Sequence, residues 1–245
     1  MASITKPPTP PPTPSPGPAA PEIPPLENGD RLTRPEFERR YSAMPHVKKA
    51  ELIEGVVYMP SPVSIMHAAP LSYLTHWLVS YVIATPGVDS ANNGTVRLDL
   101  DNEPQPDAFL RILPERGGHA RISDDLYVEG APELVAEVAT STTSQDLHDK
   151  FQAYRRNGAR EYIVWRVRNQ AIDWFVLREG QYEPLPLSPE GLYRSEVFPG
   201  LWLDAAALIR GDLVTVSQVA QLGTASPEHA AFVEKLQQAT NRPGA

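Results

Sequence analysis

The sequence predicts a mixed α/β fold, one central mixed sheet flanked by helices. Three observations predict it. Apolar runs of strand length alternate along the chain with stretches of helical periodicity, the pattern of helices packed on a sheet. The run "PELVAEVA", residues 132–139, is apolar apart from its acids and has the length of a buried strand. A helical stretch and a second apolar run follow it, so residues 133–166 read as a right-handed crossover between parallel strands.

The N-terminal residues stand outside that pattern. "KPPTPPPTPSPGPAAPEIPP", residues 6–25, holds many of the 27 prolines and almost no large apolar side chains. It cannot offset its ordering entropy by burial, and reads as a polyproline-type tail acting as a solvated spacer. The expected organisation is a disordered tail over 1–29, one folded domain over 30–212 and a C-terminal helical extension over 213–245.

In "LTRPEFERRYSAM", Thr33 is a candidate N-cap, Pro35 suits a first turn, and Phe37 and Tyr41 are an i, i+4 pair, which predicts a helix over about 34–42. "KKAELIEGVVYMP" has two β-rich runs around Glu54-Gly55, a hairpin signal. "SIMHAAPLSYLTHWLVSYVIA" sets Leu71, Leu74, Leu78 and Tyr81 at helical spacing, with Pro70 a local irregularity and Gly87 just past the end. "GTVRLDL" and "QPDAFLRI" read as strands. "TSQDLHDKFQAYRRNG" reads as a helix that Thr143 or Ser144 caps and Gly158 closes. "REYIVWRV" and "AIDWFVL" are strands on either side of Arg168-Asn169-Gln170, and "GQYEPLPL" adds another. Beyond "PGLWLD" the chain turns helical and ends in the amphipathic "SPEHAAFVEKLQQAT".

Composition narrows the chemistry. Hydrophobic residues make up 41% and charged residues 21%, ordinary for a globular protein. The absence of cysteine excludes disulfides, thiolate metal sites and a cysteine nucleophile, and suits the reducing cytoplasm expected for this chain. No run of about 18 apolar residues predicts a membrane span, and no signal-peptide core is expected. A net charge of −8 argues against tight nonspecific binding of nucleic acid, while leaving room for brief contact through bound metal ions. There is no Gly-rich phosphate loop, HExxH, serine nucleophile elbow or zinc-type cluster.

Glu137 is the anomaly. Strand alternation puts Leu134, Ala136 and Val138 on one face and Val135 and Glu137 on the other. In "QPDAFLRI", Asp107, Phe109 and Arg111 share a face in the same way. Buried acids are costly unless a cation or metal offsets them. Two such acids on adjacent strands would make a divalent-cation site of hard oxygen ligands. In the following helix Leu147, Phe151 and Tyr154 form an apolar stripe, and Lys150 lies on the same face as a second candidate partner for Glu137. A plain buried ion pair and a metal centre both remain open at this point.

The order of these residues extends to a family resemblance. "ELIEGVVYMPSP" followed by His67, "VRLDLDNEPQPDAFL", "APELVAEVATSTTSQDLHDKFQAYRRNGAREYIVW" and "EVFPGLWLD" together make residues 32–208 resemble the Uma-type endonuclease family of the restriction-endonuclease-like PD-(D/E)XK superfamily. The resemblance implies a restriction-endonuclease-like fold. It makes Pro106-Asp107 the PD of the signature and Glu137 its second acid. The usual lysine position two residues later is Ala139, and Lys150 from the next helix matches the family's lysine. Glu51 matches the acid of the first block, His67 the histidine of the next helix and Tyr154 a recurring aromatic.

The implied activity is metal-dependent hydrolysis of phosphodiester bonds, with Mg²⁺ or Mn²⁺ held by Asp107, Glu137 and Glu51. Glu51, Asp107, Glu137 and Lys150 would be catalytic, and His67 and Tyr154 auxiliary. The expected partner is nucleic acid, DNA first, bound transiently, and cleavage of both strands would favour a homodimer. The alternative is a non-catalytic binding or assembly module that keeps the nuclease-like fold. Asp107, Glu137 and Lys150 are expected to converge in one pocket with Glu51 at its rim.

Overall fold

The computed structural model describes residues 23–59, 62–140 and 144–239, the side chains of 144–147 excepted. The proline-rich run up to residue 22, the cap expected at Thr143 or Ser144 and the side chain of Leu147 lie outside the described residues.

Helix α1 spans Arg34–Ser42 and opens with Thr33 and Pro35 as expected, although the Thr33 side chain makes no capping hydrogen bond. A hairpin follows, β1 (Glu51–Ile53) with β2 (Val56–Tyr58), turning through Glu54 and Gly55 with positive φ. Helix α2 covers Ile65–Ala84 and buries Leu74, Trp77, Leu78 and Tyr81. Pro70 lies in its sixth position and removes one backbone donor from the first turns. Strands β3 (Val88–Ala91), β4 (Val96–Arg97) and β5 (Ala108–Ile112) come next.

The strand expected over "GTVRLDL" shrinks to Val96–Arg97. Beyond it the backbone turns back on itself, with the Leu98 N–H on the Asn102 carbonyl and the Asp99 carboxylate accepting from the Asp101 N–H and the Asn102 side chain. An acid bonding its own loop competes with the ladder. The short strands β6 (Arg121–Ile122) and β7 (Val128–Glu129) join β4 in a small sheet of their own.

Strand β8 (Leu134–Ala139), helix α3 (Ser144–Arg156) and strand β9 (Glu161–Arg166) form the predicted crossover, and β8 pairs with β9 in parallel. Strands β10 (Ala171–Arg178) and β11 (Gln181–Pro184) extend the sheet antiparallel. Strands β12 (Tyr193–Arg194) and β13 (Trp202–Leu203) pair separately. Helices α4 (Ala205–Arg210), α5 (Leu213–Thr224) and α6 (Pro227–Ala239) close the described chain. The central sheet runs β11-β10-β9-β8-β5-β3, with only β8 and β9 parallel. No helix among the described residues is long and apolar enough to cross a membrane.

The alternation read from the sequence separates two cores. Ala108, Leu110, Leu134, Ala136 and Val138 pack with α2, α4, α5 and α6 on one face. Phe109, Val135, Tyr162, Val164 and Tyr154 pack on the other. Val216, Ala220, Phe232 and Leu236 of α5 and α6 belong to the first of these cores. Gly223 of α5 lies so close to Gly200 that a Cβ there would stand 2.2 Å from the Gly200 carbonyl oxygen, so any side chain would push α5 away from the segment leading into β13. A third, smaller cluster gathers Leu26, Phe37, Ala50, Leu52 and Val57 around the hairpin.

Candidate active site

Asp107 stands one residue before β5, and the β5–β8 register of Ala108 with Ala136 sets it beside Glu137. Both acids project on the sheet face shared with Phe109 and Val135. The hairpin brings a third acid. Leu52 and Glu103 exchange backbone hydrogen bonds of 3.2 and 2.7 Å, which ties β1 to the segment leading into Asp107. The Gln105 N–H then donates to Glu51 Oε1 at 2.7 Å. Helix α3 contributes Lys150 and Tyr154, one turn apart on its inward side. His67 comes from the first turn of α2.

The three acids are 5–7% exposed, so they are charges within the fold. Lys150 Nζ lies 2.9 Å from Glu51 Oε1 and 3.1 Å from Glu137 Oε1, and bridges the two. The Tyr154 hydroxyl donates to the same Glu137 oxygen at 3.1 Å. Asp107 Oδ2 accepts from His67 Nε2 at 3.0 Å and from the Val138 N–H at 2.8 Å. Among the described residues, each of Asp107 and Glu137 thus spends one carboxylate oxygen on the fold and keeps the other unengaged. The other ring nitrogen of His67, Nδ1, is buried and has no partner among the described residues.

Glu51 was expected at the rim of this group. It is buried inside it, because the Gln105 N–H and Lys150 draw its carboxylate inward.

Electrostatics follow from one ammonium serving three buried carboxylates. Burial raises the Glu137 pKa to about 7, Lys150 works against that rise, and the neighbouring Asp107 and Glu51 charges add to it. Burial would raise Asp107 as well, but the His67 hydrogen bond and charge outweigh it and leave the carboxyl below its ordinary value. Burial would lower Lys150, yet Glu137 and Glu51 hold it well above the ordinary lysine value.

A cleft of about 1480 Å³ opens over the cluster, and its walls include Lys49, Tyr58, His76, Asn93, Thr140 and Asp149. Arg168 donates to the Thr140 carbonyl at 2.6 Å and fixes the backbone just past β8. Among the described residues no three His, Asp or Glu side chains stand close enough to ligate one ion unaided. The donors still fit a hard divalent cation. Mg²⁺ is commonly held by one or two carboxylates, with water and substrate oxygens completing its shell. Asp107 and Glu137 offer that pair.

Sequence reasoning missed Gln105, Lys49 and Tyr162. Gln105 acts through its backbone N–H, which carries no residue signature. Lys49 donates to the Gln105 carbonyl at 3.3 Å from a segment that reads as loop. Tyr162 reads as an ordinary apolar strand residue.

A family model, Uma2, described as "Putative restriction endonuclease", matches residues 34–206. Among solved structures, the chain is similar to that of "a putative nuclease belonging to DUF820 from Anabaena variabilis ATCC 29413", with a TM-score of 0.51 and 13% identity over 70% of this chain and 97% of that one. No curated protein matches.

Proposed function

The chain belongs to the Uma2 restriction-endonuclease family, and from that premise we propose that it hydrolyses phosphodiester bonds of DNA with Mg²⁺ or Mn²⁺ held at Asp107 and Glu137. The observation that carries the proposal is the excess of buried carboxylate over ammonium at the floor of an open cleft. Burying that many acids is costly unless a further cation joins them.

When bound, the metal neutralises phosphate charge and lowers the pKa of a coordinated water. Asp107 is held in place by His67 and the Val138 N–H, which leaves Oδ1 as a ligand atom. Glu137 is oriented by Tyr154 and Lys150, which leaves Oε2. The Lys150 ammonium stands ready to stabilise negative charge on a phosphate oxygen or to orient the attacking water. Glu51 aims Lys150, and is a further ligand candidate only where that ammonium shifts. His67 lines the cleft and fixes Asp107 through Nε2. Recognition of DNA would be brief, given the net charge of −8, and cleavage of both strands would use a homodimer.

A second reading draws on the Lys150 bridge itself. An ammonium that satisfies two buried acids also serves a non-catalytic module that keeps the fold and binds a partner. The two readings separate on supercoiled plasmid incubated with the full chain in Mg²⁺, Mn²⁺ or chelator, with Asp107→Asn alongside. Nicking that needs metal and disappears in Asp107→Asn is the expected result. No nicking in either metal, or nicking that survives the substitution, refutes the nuclease reading.

A further inference from the structure

Tyr162 is fully buried in β9, and among the described residues its hydroxyl has no hydrogen-bond partner. Buried polar groups in native proteins nearly always find one, so an orphan calls for a reason. The ring is held from several sides. Its centroid lies 5.4 Å from Tyr154, 5.9 Å from Phe151 and 5.9 Å from Tyr182, the last stacked. Phenylalanine would satisfy that packing equally well without burying an O–H.

The position of this orphan matters. The parallel register of β8 and β9 pairs Tyr162 with Val135 and Val164 with Glu137, so Tyr162 lies on the acid-bearing face, one pair along from Glu137. It is also a lining residue of the cleft that holds Glu51, Asp107, Glu137 and Lys150. Two comparisons sharpen the point. Trp174 Nε1 is another buried orphan, but it lies in the opposite core against Trp77, away from the cleft. Tyr182, stacked on Tyr162, donates its hydroxyl to the Ala159 carbonyl at 2.7 Å. Of the two stacked tyrosines, the one that lines the cleft is the one left without a partner among the described residues.

We propose that the Tyr162 hydroxyl is a substrate-contacting donor, reserved for an oxygen of a phosphodiester bound at the Lys150 and Glu137 end of the cleft. The acceptor class follows from the group: a phenol O–H in the wall of a cleft that also carries the Lys150 ammonium serves an anionic oxygen. This inference rests on the nuclease reading for its substrate, but binding and cleavage test it separately.

The experiment compares the full-length parent with Tyr162→Phe and Tyr182→Phe. Thermal melts of the free proteins come first. Tyr162→Phe is expected to melt with the parent, because it loses no bond, whereas Tyr182→Phe is expected to melt lower. Binding of a fluorescent 12-base-pair DNA duplex in Ca²⁺ comes next, followed by plasmid nicking in Mn²⁺. Tyr162→Phe is expected to bind the duplex several-fold more weakly and to lose about 100-fold in rate, the lower end for one donor to a developing oxyanion. Tyr182→Phe should match the parent in both. Parental binding and parental nicking by Tyr162→Phe overturn the assignment, as does a lowered melting temperature in the free protein or a parent that does not bind the duplex. If the parent binds but does not nick while Tyr162→Phe binds less, the nuclease reading fails and the Tyr162 assignment stands.

Discussion

Replacing Glu137 by Gln tests the central electrostatic claim. The carboxyl titrates at about 7 in the fold, chiefly through burial and despite Lys150, against 4.5 for the free side chain. An acid whose pKa is raised by folding holds its proton more tightly in the folded state. Its contribution to stability is full below pH 4.5 and is lost as pH rises through 7. The displacement from 4.5 to about 7 is worth about 3 kcal/mol at pH 8. Gln keeps the volume, cannot ionise, and retains an oxygen for the Tyr154 hydroxyl. It forfeits attraction to Lys150, but that ammonium keeps Glu51. The metal-free variant should therefore exceed the parent by about 1–3 kcal/mol at pH 8 and match it at pH 4.5. Urea melts at the two pH values read this directly. Added Mn²⁺ at about 100 times its Kd should stabilise the parent by about 2.7 kcal/mol and the variant far less. A variant that is weaker than the parent at pH 8, with neither protein responding to metal, refutes the reasoning and leaves Glu137 as the ion-pair partner of Lys150.

Other substitutions probe the remaining parts. Lys150→Met leaves two buried acids without their ammonium, so it should cost about 3–5 kcal/mol at pH 8, with part of the loss recovered at pH 5 as Glu137 takes up a proton; denaturant melts at both values check it. Asp107→Asn should abolish the metal-dependent rise in melting temperature and lower nicking by at least about 100-fold, measured on the same preparation. Stability of the metal-free parent should fall from pH 5 to 8, because burial also raises Glu103 to about 8 and Glu161 to about 7; a flat or rising calorimetric profile would contradict those shifts. Leu52→Ala, at a position with no exposure, should cost about 2–5 kcal/mol and loosen the hairpin selectively, seen as faster amide exchange in β1 and β2 than in β8 and β9.

Much of this was legible in the sequence because the central strands are short and strictly alternating. Glu137 could be set with Val135, and Asp107 with Phe109, by counting along each strand, since a period of two leaves only two choices, and Lys150 and Tyr154 could be set on one helix side by the same arithmetic; that the two acids share a sheet face depended on the β5–β8 register. The Lys150 contact with Glu137 was within reach of that reasoning, while its contact with Glu51 was not. The rest depended on atoms that sequence patterns do not mark. Gln105 and Val138 act through backbone N–H groups, whose aim depends on loop path and register. The shortened strand at Val96–Arg97 gave way to an Asp99 turn because a polar side chain outcompeted the ladder. Tyr162 was hidden because its sequence context differs in nothing from that of a core residue, and only the missing partner sets it apart.

The hairpin that delivers Glu51 has a separate consequence. Its own core is five buried residues, while the sheet that carries Asp107 and Glu137 is packed on both faces. Protein segments open in units whose free energies track how much they bury. The hairpin is therefore the unit expected to detach first, with the sheet intact. Each such opening releases Lys150 from one of its two acids and frees the Gln105 N–H beside Asp107. The cluster is thus assembled from a durable half and a transient half. Its fraction in working order is set by a local equilibrium of the hairpin, which small changes in that minor core can tune without altering the melting of the protein as a whole.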